Sequence, residues 1–320
     1  MSAATITTLA RTPPFAMPHP KDEAWRYSDR ATLARVQDLA ARRAAPVARR
    51  LADGARVEAR LCADGGAVHH AETVTVAARG TATLVHRLAG AGWTNAAIDI
   101  ALKDACLNHV VIQEADDAAA VTASVTARLE AGARYNLFVL HQGAKFGRVA
   151  LDATLAGADA AFDLAAVQLA RGKQVVETVS HTRHRVPHTQ SNQIVRSVVG
   201  ARASANYLGK IVVEKGAQKT DASQNARALL LNRTATANTK PELEIYADDV
   251  KCAHGAAVGA LDEAALFYLM SRGIGPGQAR AMLIEGFIAD IIGAVADERA
   301  QALIHAKASA WLHAGEEEVA

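Results

Sequence analysis

Between residues 108 and 255 the chain breaks into short β-forming runs, and no other feature restricts its fold as much. The runs cover 108–113, 133–140, 148–155, 161–169, 174–182, 193–199, 207–213, 227–231 and 242–246, recurring at intervals of roughly 10–20 residues. Gly132, Gly147, Gly157, Gly172, Gly200 and Gly216 punctuate them. Regular short strands with turn signals between them fit a sandwich, a barrel or a solenoid. Segments such as VVETVSHT and LELEIYA alternate apolar and polar residues, so each has one face to bury and one to expose. The buried face is rich in Ala and Val, which suits the narrow bore of a parallel β-helix. That favours the solenoid, with the sandwich as the alternative on pattern alone.

The flanks differ. Residues 1–20 hold four of the eight prolines and are expected to form a flexible arm. Residues 29–43 place Leu33, Val36 and Leu39 at helical spacing. Short strands are expected at 57–61 and 73–77. Residues 94–106 (TNAAIDIALKDAC) read as an amphipathic helix capped by Thr94 or Asn95. Beyond residue 261 three helices are expected. Asp262 caps the first and Gly273 ends it, Pro276 opens the second, and Leu303, Ile304 and Trp311 mark the third. Residues 315–320 read as a frayed acidic tail.

Composition narrows the function. The net charge of +2 argues against a dedicated nucleic-acid binder, which carries a basic stripe. Charged residues interrupt every apolar stretch before the roughly 20 residues of a membrane span. MSAATITTLARTPPF has no apolar core of a secretory signal. The three cysteines, Cys62, Cys106 and Cys252, are sparse, odd in number and form no C-x-x-C. This implies reduced thiols in a cytoplasmic setting and too few thiolates for a complete iron–sulfur or structural zinc site. There is no phosphate-binding G-x-x-x-x-G-K-[ST], no G-x-G-x-x-G after a strand, no H-E-x-x-H and no G-x-S-x-G. The chain is therefore expected to bind no nucleotide and not to be an enzyme by itself.

Two constellations carry metal chemistry. His181, His184 and His188 lie together in SHTRHRVPHTQ. They read either as metal ligands or as a polar turn between coils, and Pro187 with its β-like flanks argues against a helix. Cys252 and His254, in DDVKCAHG, form the sharper pair. In an extended segment residues i and i+2 project from one face, and a thiolate beside an imidazole makes half of a soft metal site. A neighbouring imidazolium would also lower the Cys252 pKa. Asp248 and Asp249 read as hard ligands or as a solvated pair.

At residues 239–274 the run TKPELEIYADDVKCAHGAAVGALDEAALFYLMSRGI closely resembles the C-terminal signature of the SufB/SufD family, on its SufD side. DEAWRYSDRATL is similar to the family's N-terminal Trp-Arg-Tyr element, and PHTQSN at 187–192 fits its central domain. SufB-like chains differ where KCAHGA stands here. The resemblance implies a mainly β fold, a right-handed parallel β-helix over residues 106–255. An N-terminal α/β region over 1–105 and a C-terminal helical domain over 256–320 would flank it. It implies a scaffold subunit in a complex with a SufB-like paralogue, met through the end of the β-helix, and a SufC-like ABC ATPase, met through the C-terminal helices. In isolation a homodimer is expected. Cys252 and His254 would match the interface pair for iron or a transient iron–sulfur cluster within the complex. Tyr268, Arg272 and Gly273 would match the ATPase-docking region. The competing readings are a purely structural β-helix subunit and a polysaccharide-active β-helix enzyme. The latter wants paired carboxylates and aromatic platforms, which 4% aromatic content disfavours.

Overall fold

The structure, a computed structural model, describes residues 21–314. The arm expected at 1–20 and the tail expected at 315–320 lie outside the described residues. A short 3-10 turn, Glu23–Trp25, leads to α1 (Arg30–Gln37). Fifteen strands follow: β1 (Ala41–Arg43), β2 (Val47–Leu51), β3 (Arg56–Val76), β4 (Thr81–Leu102), β5 (Cys106–Gln113), β6 (Ala120–Leu129), β7 (Arg134–Gln142) and β8 (Phe146–Leu155), then β9 (Ala161–Ala170), β10 (Val175–His184), β11 (Gln190–Val199), β12 (Ser204–Val213), β13 (Asp221–Leu230), β14 (Thr236–Ile245) and β15 (Lys251–Ala260). Three helices close the described chain: α2 (Glu263–Ser271), α3 (Pro276–Gly293) and α4 (Glu298–Ala314).

All strand pairs are parallel, in the order β14-β12-β10-β8-β6-β4-β5-β7-β9-β11-β13-β15. Successive strands thus fall on opposite walls of a solenoid of about eight turns. Even-numbered strands make one wall and odd-numbered strands the other. Register is kept from coil to coil: Phe146 stacks on Val175, and Val175 on Ser204. The solenoid expectation holds and the sandwich does not.

β4 joins the two walls. Its first half pairs with β5 and its second half with β6. The bend falls at Gly90 and Gly92, with φ of 90° and 84°. A Cβ at Gly92 would lie 2.2 Å from the Gly66 carbonyl oxygen, so only glycine permits this approach. The helix expected at 94–106 does not form; those residues mostly belong to the second half of β4. Ala96, Ile98, Ile100 and Leu102 are buried in alternation, and pairing with β3 on one side and β6 on the other overrides the helix propensity of an Ala-rich segment. The solenoid consequently takes in residues that the sequence pattern assigned to a separate N-terminal region.

The bore mixes apolar and polar columns. Leu84, Leu107, Val111, Leu137, Val139, Phe162 and Leu164 fill its first coils. Among them runs a buried hydrogen-bonded file: Tyr135 Oη to His109 Nδ1 at 2.9 Å, His109 Nε2 to His86 Nδ1 at 2.9 Å, and His86 Nε2 to Glu72 Oε2 at 3.3 Å. Arg49 Nε donates to the other Glu72 oxygen at 2.5 Å. The bonds can all run one way along the file, Tyr135 donating to His109, His109 to His86 and His86 to the Glu72 carboxylate. Farther along, His141 meets Thr178, and His184 meets Thr189 and Ser191.

Each wall has a separate cover. On the outer face of the even-numbered wall, Trp25, Leu33 and Val36 pack with Trp93, Phe146, Val179 and Leu208. The Trp25 ring stacks on the Arg148 guanidinium at 3.7 Å. Arg148 Nη1 donates to Glu177 Oε2 at 2.7 Å, and Ser28 Oγ and Asn206 Nδ2 also donate to Glu177. The N-terminal Trp-Arg-Tyr element is therefore a clasp across the coils. On the odd-numbered wall, Ile284, Ile288, Ile292, Ile304 and Leu312 of α3 and α4 cover Val110, Phe138, Val167 and Val198.

Two outcomes follow from this packing. Glu177→Ala leaves the Arg148 charge buried and unpaired, and is expected to cost about 3–5 kcal/mol, read as a lower urea midpoint. The second concerns pH. Burial holds His109 well below its usual range, His141 down to about 3 and His184 to about 4. In the unfolded chain each takes up a proton near about pH 6.5. The unfolded state then binds more protons, so stability that is full above that pH falls as the pH drops. Three such groups give a slope of roughly 4 kcal/mol per pH unit between about pH 6 and 4. Urea midpoints at pH 7.5 and 5 measure it, and His141→Gln should remove about a third of the dependence.

Candidate functional site

The solenoid ends on two strands that each pair on one side only: β14 with β12, and β15 with β13. Their outer edges present unpaired backbone donors and acceptors, a template for another strand. Neither edge is covered by the described helices, and Ile245, Tyr246 and Val258 stand exposed there.

Cys252 and His254 lie on β15, so the extended geometry expected of them is present. Cys252 is in register with Ala222, and His254 with Gln224. Ala222 and Gln224 are buried on the bore-facing side of β13. The pair therefore belongs to the inward face of the last coil, at the open mouth of the bore. Their settings differ. His254 is exposed. Cys252 is half-buried and packs against Ile211, Val213, Ala217, Ala222 and Ala247. Burial and the nearby Asp221 carboxylate push its thiol pKa up, against a smaller opposing effect from a hydrogen bond to the Ala222 backbone. The thiolate that the sequence pairing suggested is therefore disfavoured in the free chain.

The other candidates do not gather around this pair. Lys219 Nζ pairs with the Asp249 carboxylate, Asp249 N–H donates to Gln218 Oε1 at 2.9 Å, and Asp248 is solvated. The histidine cluster disperses. His181 faces outward beside Asp152 at 3.3 Å, in register with Lys210. His184 faces the bore. His188 occupies a turn with φ of 60°, its N–H donating to the Gln218 carbonyl. Residues three apart on a strand point to opposite faces, so the metal reading of this cluster fails; the turn reading holds for His188 alone, because His181 and His184 lie in β10 and bond side chains. Among the described residues no group of three or more His, Cys, Asp or Glu side chains converges as a metal site.

The C-terminal candidates form a second exposed surface. Asp262 Oδ1 caps α2 by accepting from Ala264 and Ala265 N–H at 2.8 and 3.1 Å. No residue of α2 is buried. Tyr268 is 55% exposed, and the Arg272 guanidinium lies 5.0 Å from its ring centroid. Gly273, with φ of 85°, turns the chain toward α3. Phe267 is the most exposed of the large apolar side chains here, at 73%, and Met270 and Met282 extend the patch. The sequence reading singled out Tyr268 in FYLMSRGI but missed Phe267. Its signal was apolar residues on every face of a short helix, leaving none to spare for a polar side.

No helix among the described residues is long and apolar enough to cross a membrane. The family model for the SUF system FeS cluster assembly SufBD core domain matches residues 60–287. An iron–sulfur cluster assembly SufBD family protein of Synechocystis is 39% identical over 159 residues, 50% of this chain and 35% of that protein. The chloroplastic protein ABCI7 of Arabidopsis thaliana is 35% identical over 202 residues, 62% of this chain and 42% of its own length. The iron–sulfur cluster assembly protein SufD of Escherichia coli is 41% identical over 125 residues, 39% of this chain and 30% of its own. The matched stretch thus spans less than half the length of these relatives. A core-domain match running from β3 into α3, over a parallel solenoid with an open end, places this chain in the SufB/SufD family of SUF-system iron–sulfur cluster assembly proteins.

Proposed function

We propose that this chain is a SufD-like scaffold subunit, without catalytic chemistry of its own, that supports the building of nascent iron–sulfur clusters in the cytoplasm. The observation that carries this reading is the open end of the solenoid. Two unpaired edges and an apolar rim surround an inward-facing Cys252 and His254. A SufB-like paralogue docks there by extending the walls, which satisfies the edge backbone groups. In the isolated chain a second copy occupies the same end. Iron or a nascent cluster is the cargo. Thiolate and imidazole are competent ligands for it, and the partner contributes the ligands that two residues cannot provide. A SufC-like ABC ATPase docks on α2 and the start of α3, so that its nucleotide-driven movement reaches the mouth of the bore through the short link from β15 to α2.

A purely structural role is the second reading, favoured by the packing of Cys252 among Ile211, Val213 and Ala222. Thiolate chemistry separates the two. In the free chain the pH midpoint for Cys252 alkylation, followed peptide by peptide in mass spectrometry, is expected above the ordinary thiol range. Asp221→Asn should lower it, and His254→Ala should leave it where it is. In the assembled complex the scaffold reading requires Cys252→Ser and His254→Ala to reduce cluster yield several-fold with the melting temperature nearly unchanged. Wild-type yields from both would establish the structural reading.

Removing residues 262–320 is not a clean test of ATPase docking, because α3 and α4 cover the apolar face of the odd-numbered wall. Surface substitution is. Phe267→Asp together with Tyr268→Ser, on a helix with no buried residue, should weaken ATPase binding at least about tenfold, as loss of exposed aromatic anchors does. The melting temperature should not move. Undiminished co-purification would remove α2 from the interface.

A further inference from the structure

One inward column of the odd-numbered wall runs Leu164, Gln193, Gln224, His254. Its two glutamines are treated differently. The Gln193 amide is engaged at both ends: Oε1 accepts from Ser180 Oγ at 2.5 Å and from Tyr207 Oη at 3.1 Å, and Nε2 donates to Thr182 Oγ1 at 3.0 Å. Gln224, one coil nearer the open end, is 2% exposed, and neither its Oε1 nor its Nε2 has a hydrogen-bond partner. The fold makes room for this amide. Gly209 of β12 faces it, and a Cβ there would lie 2.9 Å from Gln224 Oε1 and 2.2 Å from Tyr207 Oη. A buried amide left unmet is destabilising, and a Leu at this position would avoid that cost. Of the two column neighbours of Gln224, Gln193 has only its second Nε2 N–H to spare and makes no hydrogen bond to Gln224. The remaining neighbour is His254.

We propose that Gln224 is a positioning residue for His254: its Oε1 accepts the N–H of one imidazole nitrogen and leaves the other as a lone-pair donor at the mouth of the bore. This rests on the reading of Cys252 and His254 as ligands for iron. Strand neighbours in register lie about 4.8 Å apart, within reach of a glutamine and an imidazole on the same face. A ligating imidazole characteristically donates its second N–H to a carbonyl or carboxylate, which sets the tautomer. Gln224 supplies that acceptor from beneath, and Cys252 stands two residues before His254 on the same face.

The test uses the full chain as wild type, Gln224→Leu and Gln224→Glu, labelled with 15N-histidine. Long-range 1H–15N correlations give the tautomer ratio of His254, assigned by the signal lost in His254→Ala. Cobalt(II) alone is then titrated and the thiolate-to-cobalt absorption band followed, with Cys252→Ser as the blank. Gln224→Leu is expected to change the tautomer ratio several-fold and to weaken cobalt binding by roughly 10- to 100-fold, the usual effect of removing such an acceptor. Its melting temperature should match or exceed that of wild type, because the unmet amide is gone. Gln224→Glu, which keeps the acceptor, should restore both readouts. A tautomer ratio unchanged by Gln224→Leu overturns the proposal, whatever the cobalt titration shows. A ratio that changes, in a wild-type chain with no Cys252-dependent cobalt band, sinks the iron reading and leaves the Gln224–His254 pairing standing.

Discussion

Every coil of this molecule depends on the parallel hydrogen-bonded ladder between strands one full turn apart. A strand such as β10 has no useful partner among its sequence neighbours, which lie on the opposite wall. It is held by β8 beneath and β12 above, in unbroken register. Two consequences follow from that constraint. Side chains at matching positions stack into columns, so a residue's neighbours are set by coil spacing rather than by sequence. The ladder also cannot satisfy its own last strands, so it ends on the edges β14 and β15. The candidate site sits where the ladder stops.

The covers on the two walls explain how a narrow solenoid carries so many buried polar groups. Arg148 and Glu177 are both almost wholly buried on an outer face, where the Trp25 ring covers the guanidinium and Ser28 and Asn206 donate to the carboxylate, while Arg148 Nε and Nη2 find no hydrogen-bond partner. Glu114 is treated similarly: Arg87 and Lys307 both reach it, and so tie α4 to the wall. Inside the bore the file from Tyr135 to Glu72 is complete at every member. Buried polar networks are stable when every member is satisfied and costly when one is not. Gln224 is one of several buried groups with unmet polar atoms, Gln113, His141 and Arg148 among them, and it is the one that lies one coil from the open mouth, next to His254 in register.

The two exposed surfaces relate to each other through one short connection. β15 carries Cys252 and His254, and α2 begins only three residues after β15 ends. α3 and α4 are anchored to the odd-numbered wall by a continuous apolar cluster, whereas α2 buries nothing. α2 is thus joined by a three-residue step to the strand that bears the candidate ligands, and it packs on α3 rather than on the wall.

Much of this was legible in the sequence. Short alternating runs and their glycines announced a repeating β architecture, and the i, i+2 spacing of Cys252 and His254 placed them on one face of an extended segment. The caps at Asp262 and Gly273 were readable because capping is a local matter. What could not be read was everything set by residues a coil away. Residues 94–106 carry both an Ala-rich helical signal and a period-two burial pattern, and only the flanking strands β3 and β6 decide between them. His181, His184 and His188 look like a cluster in one dimension, yet strand geometry sends them to opposite faces and a turn. The acidity of Cys252 depends on Asp221 and on burial against β12 and β13, none of which is near it in sequence. The sequence by itself determined strand periodicity, helix ends and which residue types are available for chemistry, because those depend on neighbours within a few positions. Tertiary structure alone decided column membership, which polar groups find partners, and where the ladder is left open, because in a solenoid the nearest neighbour in space is about thirty residues away along the chain.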